Sequence, residues 1–431
     1  MILIYSLHID SPRLQYILHE LFTRRLGVVY SLTGDLNSFK NHVGPKINYS
    51  HQSIDDCLHI KPHELLFDQN ISIYNVNVNH NNEWDTFIWE QNGDVPFELF
   101  AASFYLLSRY EEYLPHKVDE HNRFDHEQSL AVQYGFIETP LIDKWAIKLK
   151  ILLENKFGPI PSQPPSYQFI STFDIDTAYL YKGLEYGKQL KKTIKSASLM
   201  RFGKLAEQLQ VMNNKIDDPY DTYDYIQHIA KQTPILYFVH CGGDSEYDES
   251  ISLETIEMQH LLANLSKQSA IGIHPSYNSF NNSEIISTEK QKLEKVLSKK
   301  ITQSRQHFLR FQLPQTMKLL IECGITEDYS MAYSGVSGFR ASTAHPFLFF
   351  DLEQNVCTSL LLYPTTIMDV TLRHNMNLTI SSAINKAEQL IQEVKQVNGL
   401  FINLWHNSSF SHTDEWYDWR EVFEKIYILG R

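Results

Sequence analysis

Short apolar runs in the second part of the chain repeatedly end in a side chain able to do chemistry, and this regularity constrains the fold most. Gln168-Phe169-Ile170-Ser171 runs into Thr172-Phe173-Asp174-Ile175-Asp176. Pro234 to Val239 ends at His240, and Ala270 to Ile273 ends at His274. Gly338-Phe339 precedes Arg340, Leu360 to Tyr363 leads through Pro364 towards Asp369, and Leu400 to Trp405 ends at His406. Helical patterns separate most of these runs. Strands alternating with helices predict a parallel sheet, and α/β barrels collect their active sites at C-terminal strand ends.

The first run carries the most chemistry. Residues two apart on a strand share a face, so Asp174 and Asp176 project into one small volume. Two carboxylates that close need a cation, a shared proton or full solvation. A metal held by one acid beside a base supplied by the other meets that need. An Asp-rich turn with solvated side chains is the plainer alternative.

At 431 residues the chain exceeds one typical core, and two domains are the prior. Four prolines between Pro159 and Pro165 mark a stiff linker over 157–167. It separates an N-terminal α/β accessory domain, 1–156, from an α/β domain of barrel type, 168–431. Helices are expected near Ser11–Arg25, with Ser11 as cap, and near 97–113 and 141–156. The charge-rich stretch Ser108–Tyr113 reads as an interdomain contact or a solvated helix end. No catalytic constellation is visible before residue 157. A helical insertion is expected at about 177–232, its lysines forming either a lid over an anionic substrate or a solvated face. Later helices are expected at about 250–267, 284–303, 314–323, 381–397 and 415–429, with Ser382 capping the fourth.

Charged residues are only 21% of the chain, so a substantial interior can be buried. The net charge of -13 argues against nucleic acid as a partner. The four cysteines form no Cys-x-x-Cys pair and read as reduced thiols. With no signal-like start and no run long enough to span a bilayer, the expectation is a soluble cytoplasmic protein.

Taken together, Thr172-Phe173-Asp174-Ile175-Asp176, His274-Pro275-Ser276-Tyr277, Gly338-Phe339-Arg340-Ala341-Ser342, Asp369 and Leu404-Trp405-His406-Asn407 resemble, in order and spacing, the motifs of the polysaccharide deacetylase superfamily. The resemblance covers about 168–431, and 1–156 resembles the additional N-terminal domain of some bacterial members. It implies a distorted (β/α) barrel holding a divalent metal, usually zinc, and removing an acetyl group from an amino sugar. It also implies a cell-envelope glycan or its precursor as the carbohydrate partner. In that scheme Asp174 is the base, and Asp176 and His274 are metal ligands. His406 is the acid, Arg340 orients Asp174, and Asp369 tunes His406. Tyr277, Trp405 and Asn407 fall in the motifs expected to bind substrate.

One departure stands out. The family pattern places a second ligand histidine four residues after the first, and this chain has Asn278 there. Asn is a poor zinc ligand. His307 is the best substitute and His240 the next, each with a structural hydrogen-bonded role as its alternative. Asn278 also supports a different class of function, a metal-free barrel kept as a carbohydrate-binding or assembly module. Glycoside hydrolysis ranks third, because Asp174 and Asp176 rise from one strand end rather than flanking a bond.

Overall fold

The computed structural model describes every residue except 185, 186, 188, 190–192, 195–201 and 413–415. Much of the expected lysine-rich insertion lies outside the described residues; helices are seen at Phe202–Met212 and Tyr223–Ala230.

The chain begins with a parallel four-stranded sheet of β1 (Ile2–Tyr5), β2 (Tyr30–Thr33), β3 (Lys46–Asn48) and β4 (Leu58–His59), ordered β2-β1-β3-β4. A helix over Pro12–Leu18 follows β1, with Ser11 accepting from the Leu14 amide as its cap. An antiparallel pair, β5 (Val78–Asn81) and β6 (Asp85–Ile88), comes next. The helix expected over 97–113 is shorter. It runs Leu99–Leu107 and breaks at Arg109, whose left-handed backbone (φ 55°) turns the chain into a single 3₁₀ turn. The helix Leu141–Phe157 ends at Gly158.

The stretch 159–167 has no regular element, as its prolines require. It lies against the first region: the Gln163 amide donates to the Gly27 carbonyl at 2.9 Å. A Cβ at Gly27 would stand 2.0 Å from the Gln163 carbonyl oxygen, so only glycine admits this approach.

From residue 168 a nine-stranded sheet forms. Its strands are β7 (Gln168–Ile175), β8 (Ile235–His240), β9 (Ala270–His274), β10 (Gln303–Ser304), β11 (Glu327–Met331), β12 (Phe347–Asp351), β13 (Val356–Pro364), β14 (Ile367–Met368) and β15 (Leu400–His406). Their order is β12-β13-β11-β10-β9-β8-β7-β15-β14. All pairings are parallel except β12 with β13, an antiparallel hairpin that the alternating strand–helix pattern does not announce. Since β12 and β14 are separate edges, the expected barrel is an open sheet among the described residues. It is nonetheless curled. Four strand steps separate β10 from β15, about 19 Å on a flat sheet. Yet His307, just after β10, and His406, ending β15, both reach one oxygen of Asp176, at 3.7 and 3.6 Å.

Phe173 and Ile175 of β7 face the core opposite the two aspartates, and Phe173 meets Tyr237, Phe410 and Phe423. One continuous apolar cluster runs from Ile2 through Trp145 and Phe173 to Tyr427, so packing as well as the linker joins the two regions. The fourth of the later helices runs Ile380–Gln396 and is capped by Thr379, with Ser382 inside its first turn rather than at its cap. The last runs Arg420–Gly430.

Candidate metal centre and active site

Asp176 sits at the middle of the strand-end cluster. Its Oδ1 lies 3.2 Å from His274 Nε2, and its Oδ2 is near the Nε2 atoms of His307 and His406. Asp174 Oδ2 lies 3.7 Å from His274 Nε2. Asp174, Asp176, His274, His307 and His406 line one cavity of about 280 Å³.

Each imidazole is oriented from behind. The His274 Nδ1–H donates to the Arg305 carbonyl at 2.6 Å, which leaves Nε2 as the lone-pair nitrogen facing Asp176. His406 Nδ1 lies 2.9 Å from Asp369 Oδ1, and the His406 amide donates to Asp369 Oδ2 at 2.8 Å. His307 turns Nδ1 towards Asp248 Oδ1 at 3.3 Å, which frees its Nε2 for Asp176. The same Asp248 oxygen accepts from His240 Nε2–H at 2.8 Å and from the Tyr277 amide at 3.0 Å.

Charge distribution follows from these contacts. Burial pulls His406 down, but the Asp369 and Asp176 carboxylates outweigh it and hold its pKa at about 10. Burial also opposes charge on His307, yet Asp176 and Asp248 lift it to about 9. Asp176 is held well below the usual carboxylate range: burial raises it, and the imidazoles of His307 and His406 more than compensate. His240 falls to about 4, driven first by burial, and is a neutral donor behind the cluster. The Asp176 pocket therefore draws positive charge, which protonated imidazoles or a divalent cation would provide.

The donor set fits such a cation. Asp176, His274 and His307 each offer one ligand atom, all within 4.8 Å of one another. His274 Nε2 lies 3.2 Å from Asp176 Oδ1 and His307 Nε2 3.7 Å from Asp176 Oδ2, each near the edge of about 3.4 Å expected between ligands of a tetrahedral site. Asp176 Oδ1 is buried with no hydrogen-bond partner, which suits a metal-ligand atom.

Several sequence-predicted residues stand elsewhere. Arg340 does not meet Asp174. It grips Glu112 through two bonds at 2.9 and 2.6 Å and donates to the Ala332 carbonyl. The guanidinium on Asp174 is Arg305, fully buried, at 2.8 Å. Trp405 is fully buried against Phe410 and Phe423 and does not line the cavity. Asn407 is likewise buried; its amide donates to the carbonyls of Thr177 and Tyr220. Tyr277 stands one layer outside, its hydroxyl 3.0 Å from His121 Nδ1. Asn278 donates to Asp244 at 2.9 Å, away from the strand ends. His345, in the loop after Arg340, is buried with Nε2 3.1 Å from the Val397 carbonyl.

Sequence reasoning missed Arg305, Asp248 and the contribution of the first region. Glu120, His121 and Arg123 line the same cavity. Arg305 carried a signal, since it lies two residues before the candidate ligand His307. Asp248, in a loop after β8, carried none.

Residues 2–158 match a family of unknown function, DUF7033. No curated protein matches the sequence. Among solved structures, the chain is similar to a protein from Mycobacterium smegmatis described as a polysaccharide deacetylase, with 16% identity, 57% of this chain and 80% of that one covered, and a TM-score of 0.38. A 4-alpha-glucanotransferase from Thermococcus litoralis shares 13% identity over 62% of this chain and 37% of its own, with a TM-score of 0.36. A polysaccharide deacetylase from Bacillus cereus shares 10% identity over 60% and 85%, with a TM-score of 0.29. At TM-scores this low the likeness carries no weight for fold or function, and both rest on the chain's own geometry.

Proposed function

We propose that this chain is a metal-dependent hydrolase removing an acetyl group, in our reading an N-acetyl group, from a sugar of a cell-envelope glycan or its precursor. The observation that supports this best is the meeting of Asp174, Asp176, His274, His307 and His406 at one cavity, with Asp174, His274 and His406 each hydrogen-bonded from behind and His307 turned towards Asp248. Asp176, His274 and His307 would hold the metal, and two imidazoles with one carboxylate suit zinc. When bound, the cation supplies Lewis-acid polarisation of the carbonyl and a more acidic water.

The chain's own residues do the rest. Asp174, fixed by Arg305 beside the ligand cluster, takes the proton of the attacking water. His406 presents Nε2 to the cavity while Asp369 anchors Nδ1–H, and it gives its proton to the departing amine nitrogen. The carboxylates that raise its pKa keep that proton in place at neutral pH. The metal-free binding module drew its support from Asn278, which stands apart while His307 lies beside Asp176.

Metal content of the purified protein and of Asp176→Ala and His274→Ala, with acetate release from N-acetylated sugars, tests the reading. One equivalent of metal, lost in both variants together with acetate release, supports it. A protein that stays metal-free after reconstitution and releases no acetate rejects it.

A further inference from the structure

Residues 118–124 form a small hairpin that leaves the first region and reaches the cavity. Val118 and Phe124 pair across it, and the Asp119 amide donates to the Arg123 carbonyl at 2.9 Å. Asp119 Oδ1 accepts from the amides of His121 and Arg123 at 2.9 and 3.0 Å, and its Oδ2 meets Arg123 Nε at 2.7 Å. The turn that carries His121 is thus locked by one carboxylate.

The hairpin is also bonded to the strand-end loops. Arg123 donates to the Phe308 carbonyl at 2.6 Å, and Arg310 donates to the His121 carbonyl at 2.8 Å. Phe308 directly follows His307 and lines the cavity with a left-handed backbone (φ 60°), which strains a non-glycine residue. A contact from the first region therefore holds a strained wall residue of the site. The His121 ring packs at 4.9 Å from Phe308 and 5.5 Å from Tyr247, with Nδ1 engaged by Tyr277. Among the described residues, Nε2 makes no closer ionic contact than Glu120 at 3.6 Å. The cavity of about 280 Å³ falls just under the roughly 300–1,000 Å³ of pockets for drug-sized ligands, a volume that suits one sugar residue.

We propose that this hairpin is a working wall of the hydrolytic site, on which His121 determines specificity by binding a polar group of the sugar, so that one N-acetylated residue is held at a time, as a free sugar or a chain end. The inference rests on the deacetylase reading and adds the size class of its substrate. His121 is pre-positioned by Asp119 and Tyr277, and its ring joins Phe308 as an apolar face for the sugar.

The test uses the full chain reconstituted with zinc, with N-acetylglucosamine and its linear β-1,4 tetramer as probes. Mass-spectrometric mapping is expected to find acetyl loss from a terminal residue of the tetramer alone. His121→Ala is expected to raise KM about tenfold with kcat little changed, the size of one hydrogen bond to substrate. His121→Gln, which keeps a polar head, restores most of it. Saturation-transfer NMR with N-acetylglucosamine and metal-free protein gives a readout apart from turnover, and its signal should weaken in His121→Ala and return in His121→Gln. Acetyl loss from internal residues, or an unaltered KM and NMR signal in His121→Ala, overturns the inference while leaving the deacetylase reading intact. Wild-type protein that binds no zinc and releases no acetate overturns both.

Discussion

Two buried ionic clusters, one around Glu112 and one around Asp176, behave differently. Around Glu112 the charges are matched: Oε1 accepts from Arg340 Nε at 2.9 Å and Arg109 Nε at 2.8 Å, and Oε2 from Arg340 Nη2 at 2.6 Å. Arg109 also donates to the Tyr333 hydroxyl, so this cluster fastens the first region to the sheet. Around Asp176, three imidazoles approach a carboxylate whose Oδ1 has no hydrogen-bond partner. A carboxylate bonded at both oxygens, as Glu112 is, fixes a structure, whereas a buried carboxylate oxygen without a hydrogen bond suits a ligand. The contrast also explains the misplacement of Arg340: a buried arginine needs a carboxylate, and Glu112 of the other region was closer than Asp174.

The sharpest division between the clusters is in catalysis. Asp174→Asn keeps the shape and removes the base, and kcat for acetate release should fall by about 10²–10⁴-fold with metal content retained. An Asp174 that served only to bond Arg305 would show lost thermal stability with kcat preserved, which would erase the distinction.

Arg340→Ala should do the reverse. Removing one partner of a buried pair costs about 3–5 kcal/mol of unfolding free energy, read by chemical denaturation, with kcat unchanged. The pH dependence gives the same cluster a second signature. Burial would raise Glu112, but Arg340 and Arg109 override it and depress its pKa to about 2. The unfolded chain protonates this carboxylate near 4.3, so its contribution of about 3 kcal/mol is complete above roughly pH 5 and fades as pH falls towards 2. Glu112→Gln should flatten that part of the stability–pH curve; an unaltered curve would mean the pair is not what fastens the regions.

Within the metal cluster a graded effect is expected. Asp248→Asn leaves Asp176, His274 and His307 in place but weakens the partner that orients His307, and metal affinity by calorimetry should fall about 10–100-fold. Asn278→Ala should leave affinity alone, since the Asn278 side chain donates to Asp244 rather than to any of the proposed ligands. An Asn278 effect matching that of Asp248 would move the ligand set back towards the family pattern.

What the sequence disclosed follows strand physics. Period-two alternation and C-terminal strand ends bring Asp174, Asp176, His274 and His406 to one side, and those features are local. His307 is the best substitute ligand by sequence, yet it lies beyond the short strand Gln303–Ser304 and opens a tight turn. Arg305, Asp248 and the 118–124 hairpin depend on which strands become neighbours and on how the first region docks. Those are tertiary facts with no local pattern, and the open edge made by β12 is another.

Trp405 shows a signal that was present and went unused. Leu404 and His406 both line the cavity, and on a strand the residue between them must face away. Trp405 accordingly packs in the core, where its indole N–H is buried without a partner. Trp405→Phe should therefore cost only on the order of 1 kcal/mol, because the cavity penalty is partly offset by loss of an unsatisfied donor. KM for an N-acetylated sugar should not move. A KM that rises while the unfolding midpoint holds would put Trp405 against substrate, and would mean that β15 turns its opposite face to the cavity.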